Sequence, residues 1–183
     1  TIEKELIECK AVFDSITKEN MIELSAEALA DGKALGWFQG RMEFGPRSLG
    51  NRSILADPRS EHMQKILNLK VKYRESFRPF APSVLKEDMN DWFELNHDSP
   101  YMLLVDAVKK DKHIEMTMEE KSLFGIEKLN IKRSSIPAVT HVDYSARIQT
   151  VDKRTNPIYY ALITKFKEIT GCSVLVNTSF NVR

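Results

Sequence analysis

Pro157-Ile-Tyr-Tyr-Ala-Leu-Ile-Thr-Lys-Phe-Lys-Glu-Ile-Thr-Gly-Cys-Ser-Val-Leu-Val-Asn-Thr-Ser-Phe-Asn181 holds a helix, its stop and a strand in succession. Pro157 suits the first helical turn, and Ile158, Ala161, Leu162, Phe166 and Ile169 recur at helical spacing to face a core. Gly171 ends the helix, and residues 173–176 form a short apolar strand. A helix folded back onto a strand, leaving the small polar side chains of residues 177–181 open at the strand's end, indicates an α/β domain.

The chain upstream repeats the alternation. Residues 19–31 predict a helix with Met21, Leu24, Ala28 and Leu29 on one face and Gly32 at its stop, followed by a strand at 34–39. Residues 60–73 predict a second helix, with Ser60 as N-cap before Met63, Ile66, Leu67 and Val71. Residues 80–85 suit a strand whose Pro82 favours an edge or first position, and residues 88–93 a short helix. The apolar continuity of residues 101–108 marks the clearest buried strand. Residues 109–135, charged and weakly periodic, read as a mobile excursion. Residues 138–142 and 146–151 read as a hairpin around Asp143-Tyr144. No internal repeat is present, so one mixed α/β domain is expected.

The 183 residues are 42% hydrophobic, enough for a core without staples. The net charge of +1 argues against a general nucleic-acid coat or membrane-surface binder. That total conceals an uneven distribution. Residues 1–40 carry 4 basic and 8 acidic side chains, whereas residues 41–78 carry 9 and 4. Cys9 and Cys172 are too few for a disulfide framework or a thiolate metal site and fit a reducing compartment, the cytoplasm. His62, His97, His113 and His141 lie far apart, so no protein metal site is expected. No apolar run is long enough to span a membrane and no leader opens the chain. A first residue of Thr1 and a strand-like ending without a cap suggest a piece of a longer protein.

Three clusters could carry chemistry. Gly40-Arg-Met-Glu-Phe-Gly-Pro-Arg-Ser-Leu-Gly-Asn-Arg52 has the glycines and arginines of a tight loop facing an anion, without the spacing of a phosphate-binding Walker loop; a surface turn with solvated arginines is the alternative. Lys70, Lys72, Arg74 and Arg78 crowd like charges that an anion would relieve. On a helix Lys70 and Arg74 share a face; in extended chain Lys72 and Arg74 do. A solvated helix end is the alternative there. Asn177-Thr-Ser-Phe-Asn181 supplies hydroxyls and amides at a strand's end, which serve ligands and turns equally well.

Four ordered blocks carry a resemblance: residues 40–59, residues 71–84, Pro-Ala-Val-Thr-His-Val-Asp from 137 and Asn-Thr-Ser-Phe-Asn-Val-Arg from 177. Over residues 19–183 the chain resembles the C-terminal domain of the O-carbamoyltransferases, a family that includes nodulation-factor and antibiotic carbamoyltransferases. The resemblance implies a YrdC-like α/β fold, a mixed twisted sheet with flanking helices and an open basic cavity. Lys72-Tyr-Arg74 followed by Arg78-Pro79 is similar to that fold's Lys-x-Arg and later basic-Pro pair, and Ser179-Phe-Asn181 to its Ser-x-Asn.

The activity so implied joins carbamoyl phosphate and ATP, accompanied by Mg2+, into a carbamoyl-adenylate; an upstream iron-containing domain of the same polypeptide then passes the carbamoyl group to an alcohol. Arg47, Lys72 and Arg74 are expected to be catalytic, Arg41, Arg52, Arg78 and Asn177 to bind substrate, and Ser179 and Asn181 to bind ATP. Iron is expected only in the absent upstream domain, and no nucleic-acid or membrane partner is expected. Residues 1–18 would be a connecting segment, and the family's Gly-Glu-Pro continuation after Arg183 is missing. Polyanionic substrates need fixed cations more than a nucleophile, which suits these residues. A non-catalytic nucleotide- or carbamoyl-phosphate-binding regulatory domain would show the same cations. An RNA-binding module would want more aromatics among the arginines than Phe44 and Tyr73.

Overall fold

The structure, a computed structural model, describes residues 1–129 and 131–180. Helix α1 (Ile2–Glu8) buries nothing. Helix α2 (Lys18–Ala30) starts where the Thr17 hydroxyl accepts the Asn20 N–H at 3.2 Å. It buries Ser25, Ala26 and Leu29, while Leu24, expected on that face, is 55% exposed. The small side chains of Ser25 and Ala26 face inward because α2 packs closely along the C-terminal helix.

Strand β1 (Leu35–Phe38) is followed by β2 (Arg52–Ala56), its antiparallel partner, with Trp37 opposite Ser53. Strand β2 went unseen in the sequence because its five residues follow directly on the glycine- and arginine-rich loop. The helix expected over 60–73 is shorter and split: α3 (Met63–Ile66) passes into a π-helical turn, Leu67–Lys72, that ends at Tyr73 with φ 49°. Ser60 does not cap it with its side chain.

Strand β3 (Ala81–Leu85) leads through a 3-10 turn to α4 (Met89–Trp92) and then to β4 (Val105–Ala107). Three short elements, a 3-10 turn at Lys110–Lys112, α5 (Met118–Ser122) and α6 (Ile126–Leu129), give the segment expected to be a mobile excursion defined local structure. There Arg133 is 6% exposed, and its guanidinium donates to the carbonyls of Leu129 and Ile131 at 3.2 and 3.1 Å. Strands β5 (Ser145–Arg147) and β6 (Gln149–Val151), helix α7 (Pro157–Thr170) and strand β7 (Val174–Ser179) complete the chain.

The main sheet runs β1-β2-β7-β3-β6, antiparallel except for β3 and β6. Helix α7 matches the expected boundaries and stops at Gly171 with φ 74°. Its fully buried side chains are Tyr159, Leu162, Ile163 and Phe166, whereas Ile169, expected to face the core, is 45% exposed at the helix end. Burial of every residue from 174 to 177 shows that β7 is covered on both faces. The result is the expected mixed α/β architecture, a five-stranded sheet with a separate pair, β4 and β5.

Two strand expectations are corrected. Residues 138–142 do not pair with 146–151: residues 137–139 form a 3-10 turn, β5 pairs with β4, and β6 joins β3 in parallel. Only the turn itself stands, closed where the His141 N–H donates to the Ser145 carbonyl at 2.9 Å. Residues 101–108 are not a buried strand either, since only Val105–Ala107 forms a strand, Val108 adds a single bridge to Phe93, and most of the apolar side chains before them face outward.

Pro82 is interior rather than at an edge, for a geometric reason. The Leu85 N–H donates to Ser173, so alternation along β3 turns the Pro82 nitrogen toward β6, whose ladder begins only at Ser83 opposite Gln149. Its missing donor therefore has no strand partner to disappoint. Among the described residues no helix is long and apolar enough to cross a membrane.

Candidate functional site

The loop between β1 and β2, residues 39–51, is bound on both sides. The Trp37 indole and the Gln39 amide both donate to the Gly50 carbonyl, at 2.9 and 2.7 Å, and Gln39 also donates to Asn156 Oδ1 at 2.9 Å. Beneath the loop lies a buried polar network. Asn177 Nδ2 donates to the Ser48 carbonyl, Ser83 Oγ and Gln149 Oε1 at 3.1, 3.1 and 2.9 Å. Ser48 Oγ donates back to Asn177 Oδ1 at 3.1 Å, and Gln149 Nε2 reaches the Leu49 carbonyl at 2.9 Å. One amide thus ties the loop to the middle of the sheet, where a satisfied network holds a single geometry.

The loop's backbone donors are directed at its own carboxylate. Glu43 Oε1 accepts the N–H groups of Leu49, Asn51 and Arg52 at 2.7, 2.8 and 3.2 Å. Partial burial alone would raise the Glu43 pKa; the three donated bonds outweigh it and hold the group below its ordinary 4.5. A depressed folded pKa gives stability that is present above about pH 4.5 and is lost as pH falls through the folded value. Glu43→Gln should therefore cost about 1 kcal/mol at pH 7, and denaturant titrations should show the difference from wild type shrinking as the pH is lowered below that range.

The π-helical turn answers the open question about Lys72 and Arg74. The chain ends neither as regular helix nor as strand. The left-handed Tyr73 redirects the backbone, and buried Asn68 receives the result: its carbonyl accepts the Arg74 N–H at 3.1 Å and its Oδ1 accepts Arg74 Nε at 2.6 Å. Its amide donates to the Ser76 and Arg78 carbonyls at 3.1 and 2.8 Å. Lys72 Nζ then donates to Ser179 Oγ at 3.0 Å and to the Ser179 carbonyl, while the Arg74 guanidinium lies 4.9 Å over the Phe80 ring. Both cations meet the end of β7.

There the structure forms a cavity of about 180 Å³ lined by Arg47, Arg74 and Arg147 with Ser48, Asn177, Thr178 and Ser179, and floored by Phe80 and Met102. No Asp or Glu is among the described residues that line it. The Nε atoms of Arg47 and Arg147 are buried without a partner among the described residues. Burial, and then the charge of Arg47, lower the pKa of Arg147; burial, and then Arg74, lower that of Lys72. Burial and Arg78 do the same for Arg74. Cations held together at such cost have in common that an anion among them would lower their energy.

The residues expected in a site therefore separate. Arg47, Arg74, Asn177 and Ser179 line the cavity, and Lys72 stands behind Ser179. Arg52 does not line it: its guanidinium donates to the carbonyls of Gln39, Asn51 and Gly40 and lies 3.3 Å from the centre of the Phe38 ring. Arg41 is exposed on the loop. Arg78 pairs with Glu75 at 3.0 Å and faces a separate cavity of about 280 Å³. Asn181 lies outside the described residues.

Arg147 and Asn68 escaped notice in the sequence. Arg147 sits in a segment assigned to a hairpin, and Asn68 looks like a polar interruption of a helix. The one available signal was that Arg147 is a lone cation within an apolar strand-like run.

A family model described as "Carbamoyltransferase C-terminus" matches residues 26–183. The chain is similar, at 60% identity over 174 residues, to an uncharacterized protein of Synechocystis, covering 95% of the chain and 28% of that protein. It is 43% identical to nodulation protein NolNO of Sinorhizobium fredii over 183 residues, 98% of the chain and 24% of the relative. Against a 3'-hydroxymethylcephem-O-carbamoyltransferase of Streptomyces clavuligerus the figures are 39%, 85% and 26%. The chain thus spans about a quarter of the length of these curated relatives.

Proposed function

Because the chain belongs to the carbamoyltransferase family, as its C-terminal domain, we propose that its cation-ringed cavity binds carbamoyl phosphate and ATP and joins them into a carbamoyl-adenylate. The observation that carries this reading is the convergence of Arg47, Arg74 and Arg147 on a small cavity with no carboxylate in its lining. Both substrates are polyanions of the kind that planar guanidinium forks hold in two-point contacts.

In the balanced reaction water takes the phosphoryl group of carbamoyl phosphate, releasing phosphate and leaving carbamate. A carbamate oxygen then attacks the α-phosphorus of ATP and pyrophosphate leaves. Each step gathers negative oxygens, so fixed cations lower the barrier without a protein nucleophile. Arg47, Arg74 and Arg147 would hold the phosphate groups, and Lys72 would orient Ser179. Magnesium would travel on the phosphates of ATP, since the lining offers it no carboxylate. The rest of the longer polypeptide would pass the carbamoyl group to an alcohol, as the resemblance to the O-carbamoyltransferases implies.

Ser179 tests the division of labour between the ligands. Its hydroxyl, held by Lys72 at the end of β7, is assigned to the ATP phosphates, so Ser179→Ala should weaken ATP binding about tenfold by calorimetry and carbamoyl phosphate binding much less. An equal loss for both would refute the assignment. A regulatory domain would bind the same ligands in the same cavity. Release of pyrophosphate from ATP that requires carbamoyl phosphate separates the two, and its complete absence in the full-length protein would overturn the enzymatic reading.

A further inference from the structure

Asn68 stands in the π-helical turn with no exposure to solvent, where a polar side chain is costly unless its donors and acceptor are matched. They are matched in one way only. The amide nitrogen donates to the Ser76 and Arg78 carbonyls, and Oδ1 accepts the Arg74 Nε–H at 2.6 Å. Turning the amide over would set its oxygen against two carbonyls and its NH2 against an N–H, so the partners fix its orientation.

Two of the contacts made by Asn68 fall on one residue. Arg74 is held at its backbone N–H by the Asn68 carbonyl and at the root of its guanidinium by Oδ1, while the guanidinium lies over the Phe80 ring. With Nε engaged, the terminal nitrogens are the part of the fork left for an anion in the cavity that Arg74 lines. The anchor is also neutral. Arg59 and Arg78 show the alternative: each is anchored by a carboxylate, Asp57 at 2.7 Å and Glu75 at 3.0 Å, and neither lines that cavity. A carboxylate in the place of Asn68 would fix the fork equally well and neutralise it.

We propose that Asn68 is a positioning residue for phosphate recognition, which aims the Arg74 fork into the cavity and leaves its positive charge for the ligand. The choice of carbamoyl phosphate as that ligand rests on the function proposed above; the geometry itself asks only for a phosphate-bearing anion. If Asn68 served the fold alone, by satisfying the carbonyls of Ser76 and Arg78, its effect on binding would not depend on which side chain stands at position 74.

A double-mutant cycle in the full-length protein, read by titration calorimetry with carbamoyl phosphate and separately with pyrophosphate, tests this dependence. Asn68→Ala alone should weaken binding of both anions about tenfold. In an Arg74→Lys background, where a methylene stands in the place of Nε, the same change should weaken binding less than about twofold. An equal loss in the two backgrounds would overturn the proposal. If Asn68→Ala does not fold, Asn68→Ser, whose hydroxyl can still donate to one of the two carbonyls, carries the same cycle and is read in the same way. Coupling seen with pyrophosphate in a protein that fails to bind carbamoyl phosphate would support the positioning role while refuting the function proposed for the cavity. Binding of neither anion by the unaltered protein would overturn both.

Discussion

Gly50→Ala should destabilise the chain by about 3–5 kcal/mol, a large share of the stability of an ordinary domain. A Cβ at this position would lie 2.3 Å from Cδ1 of Tyr159, a ring that is fully buried on α7 and cannot swing into solvent. The backbone adds a second penalty, since φ is 97°, where side chains are rarely tolerated. Gly171→Ala is the control: it has φ 74° but nothing within 4 Å of the added carbon, so it should lose only about 1 kcal/mol. Chemical denaturation measures both. If the contact with Tyr159 dominates, adding Tyr159→Leu to Gly50→Ala should recover part of the loss, a non-additivity that a purely conformational penalty would not produce.

Arg147→Ala should weaken carbamoyl phosphate binding by about 1.5–3 kcal/mol, roughly 10- to 150-fold. The guanidinium lines the cavity, and its buried Nε has no partner among the described residues, so an anion in the cavity would be the partner it lacks. Relief from burial and from Arg47 should leave stability unchanged or slightly improved. Arg52→Ala should do the reverse. That side chain holds three carbonyls of the loop and covers Phe38, so its loss should lower the melting temperature with little direct effect on affinity. Titration calorimetry beside thermal melts distinguishes the two arginines, and equal affinity losses would show that the cavity has been misplaced.

How much the sequence revealed depended on whether the information was local. The bounds of helix α7 were legible because its proline start and glycine stop are local signals. Its core face was only partly so: Leu162 and Phe166 are buried as expected, while Tyr159 and Ile163 join them and Ile169 turns outward. Residues 101–108 misled because apolar continuity reports that a surface wants cover and not whether this chain supplies it. The partners of β5 and β6 are set by tertiary pairing with β4 and β3, which turn residues at 143–144 do not encode. In the site, Arg47, Lys72 and Arg74 stood out through crowding and glycine spacing. Arg52, from the same motif, belongs to the loop's own scaffolding, and the difference lies in which carbonyls happen to surround each fork. The π-helical turn was illegible for a related reason: it depends on one buried side chain, Asn68, satisfying backbone groups up to ten residues away.

The amide of Asn177 also bears on motion. A thirteen-residue loop joining two strands would ordinarily be among the first parts of a domain to open, and its amide hydrogens among the first to exchange with solvent. Here the Gly50 N–H donates to Ser53 Oγ, the Leu49 N–H is held by Glu43, and Ser48 is bonded to the central strand in both directions. Deuterium should therefore enter at Leu49 and Gly50 only when the strands themselves separate. Arg47, carried by the loop, is then poised before any ligand arrives, so association should show a single concentration-dependent phase rather than a slow ordering step.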